Sequence, residues 1–83
     1  MADIRFKIVK NYGVLSTANK SGWTKELNLV SWNDREPKLD IREWSQDHTQ
    51  MSKGITLTFA EAESLYNLLS EEALMEAEER DKK

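Results

Sequence analysis

The chain has no cysteine and a single histidine, His48. Disulfide bridges and a zinc site built from thiolates and imidazoles are therefore excluded. No apolar stretch is long enough to span a bilayer, and the opening MADIRFKIVK lacks the apolar core of a signal peptide, so a cytoplasmic protein with no membrane partner is expected. Glycine-rich phosphate loops and a nucleophile elbow are also missing, and with a single histidine and no such elbow a catalytic triad is not expected. What is present is 83 residues, enough for one small domain. Such a chain buries only about 60–65% of its unfolded surface. Without disulfides or a metal, a partner subunit is the remaining way to enlarge its core, and a homodimer is expected.

The formal net charge of −3 is unevenly spread. Residues 1–59 hold nine Lys or Arg against seven Asp or Glu, whereas residues 60–83 hold three against eight. A mildly basic front followed by an acidic end points to charge segregated between faces.

The front of the chain alternates as strands do. Ile4, Phe6 and Ile8 alternate with Arg5, Lys7 and Val9; YGVLS (12–16) restarts the pattern, with Gly13 marking a bulge. The turn-like ANKSG (18–22) leads to TKELNLVSW (24–32). The polar loop NDREP (33–37), ending in the only proline, leads to KLDIREWSQ (38–46). After the polar stretch 45–54 comes a short strand, GITLT (54–58). Thr58 and Glu61 then form a capping-box signature, and Ala62, Leu65, Leu68, Leu69 and Ala73 recur at helical spacing. The expected fold is α+β: a four-stranded antiparallel sheet followed by one C-terminal helix over about 59–76. Residues 1–76 make the domain, and 77–83 a frayed, charged tail.

Alternation sorts the side chains of the second and third strands. Leu27, Leu29, Leu39 and Ile41 share one side, the expected seat of the helix. Asn28, Val30, Trp32, Lys38, Asp40, Arg42 and Trp44 share the other, which reads as too polar for a second core and therefore as exposed. His48 lies in a polar loop and reads as a surface residue. Asp40 and Glu43 fall on opposite sides and make no carboxylate pair, so no enzymatic activity, no cofactor and no small-molecule substrate are expected. Tryptophans are core residues as often as not, and Trp23 at a hairpin shoulder stays undecided. Trp32 and Trp44, on the side away from the leucines, read as a platform. Flat aromatics beside Lys and Arg suit unpaired bases, which stack on the rings while cations track the phosphates. The alternative is a protein-interaction module that uses the same face for a peptide or a polymerase subunit.

LDIREW (39–44), followed shortly by KGITL (53–57) and a helix, resembles the C-terminal domain of the transcriptional coactivator positive cofactor four and its compact bacterial relatives of the YdbC type. The likeness is specific over 39–69 and looser over 4–38. It implies a strongly curved sheet, a homodimer, and single-stranded DNA bound on the sheet face away from the helix, with a role in transcription regulation or strand protection. On that resemblance Arg42 takes a phosphate or base-edge role, and Trp32 and Trp44 stack bases. The tip between the second and third strands offers Arg35 and Lys38 but adds Asp34 and Glu36, which shifts weight to Lys7, Lys20 and Lys25. With Asn28 from the same face, these nine residues are the candidate nucleic-acid site. RNA stays open as a ligand because no reader of the 2′-hydroxyl is identifiable.

Overall fold

The computed structural model describes residues 4–17 and 22–81. Strands β1 (Phe6–Thr17), β2 (Thr24–Trp32), β3 (Lys38–Trp44) and β4 (Ile55–Leu57) form one antiparallel sheet in sequence order. Two helices follow, α1 (Phe59–Leu68) and α2 (Glu71–Asp81). The segments expected as 4–9 and 12–16 are one strand. Register shifts at Ile8/Lys10, Asn11/Gly13 and Val14/Ser16 keep it paired to β2 while bending it. The β2–β3 hairpin closes through Asn33 (φ 51°) and Asp34 (φ 62°), with the Arg35 N–H donating to the Trp32 carbonyl at 2.9 Å. Consecutive left-handed residues match the twist of the flanking strands, and Asn and Asp tolerate that conformation best after glycine.

The sheet closes over the side expected to be exposed. Asn28, Val30, Asp40 and Trp44 are the fully buried side chains among the described residues, Glu26 is nearly so, and all five lie on that face. The leucine side, Leu27, Leu29, Leu39 and Ile41, is only half-buried. Curvature is the cause. Thr24, which pairs with Trp44, and Trp32, which pairs with Phe6, are eight residues apart in β2. That is roughly 27 Å along a flat strand. Yet the Phe6 ring lies 6.0 Å from the Trp32 ring and 5.1 Å from the Trp44 ring. The sheet must roll up on its polar face to bring these rings together, and the bulges of β1 supply the bend.

Where one helix was expected, the chain has two. The capping box at Thr58 and Glu61 is formed as anticipated. The first helix ends at Leu69, whose ψ of 53° leaves the helical region. Ser70 restarts it, its Oγ accepting from the Ala73 N–H and its carbonyl from the Leu74 N–H, and Glu71 and Glu72 complement the new helix dipole. The tail expected to fray from 77 is helical to Asp81. α1 packs against β3 and β4, but no residue of either helix is buried.

β4 approaches β3 through Gly54. A Cβ there would stand 2.3 Å from the Arg42 Cβ and 2.4 Å from the Ile41 carbonyl oxygen. Gly54→Ala is expected to destabilise the fold by about 1–3 kcal/mol, the usual range for forcing atoms into a filled space. A lowered urea midpoint at unchanged slope reports this; an unchanged midpoint contradicts the close approach.

Candidate nucleic-acid interface

Two polar clusters lie on the enclosed face, and their positions decide which residues a ligand can reach. One centres on Glu26. Its Oε1 accepts from the side-chain amides of Asn11 (3.1 Å) and Asn28 (3.2 Å), and its Oε2 accepts from the Thr24 hydroxyl. His48 Nε2 lies 3.0 and 3.1 Å from the two carboxylate oxygens. Asn11 also donates to the Asn28 Oδ1 at 2.7 Å. Burial alone would raise the Glu26 carboxyl; the hydrogen bonds from Thr24, His48 and Asn28, with the charge of His48, outweigh it and hold the group below its ordinary value of 4.5. His48, read from the sequence as a loop surface residue, is thus the outer partner of a buried carboxylate. It holds a left-handed backbone (φ 59°), and its ring lies 5.7 Å from that of Trp44.

The second cluster centres on Asp40. Arg42 grips Asp40 with two parallel bonds, Nε to Oδ1 and Nη2 to Oδ2, each 2.7 Å. The Thr56 hydroxyl donates to the same Oδ2 at 3.1 Å. Arg42 Nη1 makes longer contacts of 3.4 Å to the Met51 sulfur and the Ser52 carbonyl. The guanidinium carbon stands 4.6 Å from the centre of the Trp32 ring, a cation–π geometry. An open pocket of about 330 Å³ lies where Ile4, Trp32, Asn33, Arg42, Met51 and Thr56 meet.

The nine residues singled out from sequence separate accordingly. Trp32, Arg42 and Lys38 share a face, with Lys38 exposed and Trp32 half-buried. Arg35 is exposed on the hairpin turn beside them. Lys7 opposite Ser31 and Lys25 opposite Glu43 are exposed on the other face of the sheet. Lys20 lies outside the described residues. Two expectations are corrected. Trp44 and Asn28 are fully buried, Trp44 beneath Phe6 and beside His48, Asn28 within the Glu26 cluster. A base cannot reach either without unpacking the core. Thr56 and Met51 were missed. The parity of Thr56 opposite Asp40 could have found it; Met51 carried no comparable signal because it reaches the face from a loop.

Among the described residues no group of His, Asp and Glu could hold a metal ion, and no helix is long and apolar enough to cross a membrane.

Comparison with known proteins agrees with the motif likeness. The family model described as Transcriptional Coactivator p15 (PC4) matches residues 19–68. A protein of Treponema pallidum (strain Nichols), described as uncharacterized, is 46% identical over 72 residues, covering 87% of this chain and 84% of the relative.

Because the Glu26 carboxyl is held low, the sign of its contribution is fixed. Its stabilisation is fully present above the unfolded value near 4.5 and is lost as pH falls through the lower folded value. Glu26→Gln should therefore remove part of the acid-induced fall in the urea midpoint. An identical acid limb in the folded variant would contradict the shift.

Proposed function

From the membership of this chain in the transcriptional coactivator p15 (PC4) family, we propose that it is a homodimeric, cytoplasmic, non-enzymatic protein that binds single-stranded DNA with little sequence selectivity. The observation that carries the reading to a place on the molecule is the open pocket in which the Arg42 guanidinium stands over the Trp32 indole. Unpaired bases stack on aromatic rings and on arginine planes alike, whereas a duplex hides its base faces. Lys38 and Arg35, exposed at the same end of the sheet, contact phosphates; Lys7 and Lys25 on the far face add longer-range attraction. Phosphate contacts position a strand without reading it, which accounts for weak selectivity.

What one copy leaves bare supports the dimer. Phe59, Leu68 and Leu69 on the first helix are 61, 73 and 51% exposed, and Ile55 of β4 is 54% exposed. Apolar side chains left bare on so small a domain favour an interface, and a second copy is the occupant that the family implies. The acidic second helix, bearing Glu71, Glu72, Glu76, Glu78 and Glu79, repels a strand from any surface it borders.

If Lys38 and Arg35 each neutralise one phosphate, log K for oligo-dT should fall against log salt with a slope near −1.4, at the single-strand coefficient of about 0.7 per contact. A salt-independent affinity rules the mechanism out. Trp32→Ala should cost roughly 1–3 kcal/mol of binding with the fold intact; undiminished affinity in a folded variant removes Trp32 from the site. Sedimentation at micromolar concentration should give twice the mass of the chain, and a monomer contradicts the dimer.

A further inference from the structure

The strand-binding reading assigns Arg42 to the site by its motif, yet its donors are already engaged. Arginine has five N–H groups. Four are directed at Asp40, Met51 and Ser52, and the two to Asp40 are short and parallel. The Asp40 carboxylate is fully buried and the Arg42 side chain only 14% exposed, so the charges of the pair cancel beneath the surface. A phosphate would have to draw the guanidinium off Asp40 and leave that carboxylate buried with only the Thr56 hydroxyl. Beyond this grip, the guanidinium carbon stands over the Trp32 ring, 4.6 Å from its centre.

On the strand-binding reading, we propose that Arg42 is a positioning residue: clamped by Asp40, it fixes the Trp32 indole at the pocket mouth and makes no phosphate contact. The bound strand then meets a preset aromatic tier, and its phosphates are neutralised by the exposed cations. Phe6 supports the same indole from β1, its ring 6.0 Å away and tilted by 51°. Trp32 therefore has an apolar ring and a cation as neighbours, each anchored on a different strand. Thr56 fixes the far oxygen of Asp40 from β4, so the clamp couples three strands to one indole.

Two variants of the full chain test this, both checked for folding by circular dichroism. Arg42→Lys keeps the charge but loses the plane and the two-pronged grip. The double variant Asp40→Asn, Arg42→Gln removes both charges together and leaves neither buried alone. In the ligand-free protein, the indole N–H resonance of Trp32, identified by its loss in Trp32→Phe, should shift or broaden in both variants. Oligo-dT affinity should fall about tenfold in both, within the range of one lost stacking contact. The slope of log K against log salt should stay at the wild-type value in the double variant, while Lys38→Ala reduces it by about 0.7. A Trp32 resonance that does not move, an undiminished affinity, or a slope reduced in the double variant as in Lys38→Ala would each overturn the clamp. Failure of the wild-type protein to bind oligo-dT would instead defeat the strand-binding reading, and the Trp32 resonance would still decide whether the clamp exists.

Discussion

Glu26, Asn28 and Asp40 stand on one face of β2 and β3, and all three are closed off from solvent. A carboxylate or amide removed from water destabilises a fold by several kcal/mol unless its hydrogen bonds are replaced. Here the replacements come from separate parts of the chain: Asn11 on β1, Thr24 at the start of β2, Arg42 on β3, Thr56 on β4 and His48 in the loop between. Asn11 and Thr56 reach the row by direct cross-strand pairing opposite Asn28 and Asp40, Thr24 and Arg42 stand two residues from their targets on the same strand, and His48 comes in from the loop. The polar row is therefore satisfied by strand register together with one loop residue, His48. The three aromatics, Phe6, Trp32 and Trp44, fill the space that the roll creates.

Much of this was legible in the residues. Alternation placed the strands to within a residue or two, Thr58 and Glu61 announced the first helix, and parity correctly grouped Trp32, Lys38 and Arg42 on one face. Which face would be covered was not legible. Residue type sent Glu26, Asn28 and Asp40 to solvent, because their partners Asn11, His48 and Thr56 lie between 15 and 22 positions away and announce themselves only through register. Curvature accumulates from bulges, and only the one at Gly13 left a mark in the sequence. The helix break had a signal that the apolar spacing masked: Ala73 continues the period, while Ser70-Glu71-Glu72 is a helix start.

The roll also sorts the tryptophans by role. Trp44 sits wholly inside, as a packing residue, although the indole N–H groups of both Trp44 and Trp32 are buried without an acceptor among the described residues. Trp32, at the rim, keeps part of its surface open to the pocket and takes a cation on its ring. Two aromatics of equal parity in neighbouring strands thus divide between core and surface according to where the curved sheet ends. The family likeness carries the class of ligand, and the curvature decides which of the family's expected contacts are accessible in this chain.

The central claim is that this surface takes unpaired bases. Titration with oligo-dT and with a duplex of equal length, at two salt concentrations, tests it most directly. The account predicts that the single strand binds at both concentrations and quenches tryptophan emission, while the duplex binds more weakly and without quenching. Equal affinity for the two, or single-strand binding with no change in tryptophan emission, would contradict it.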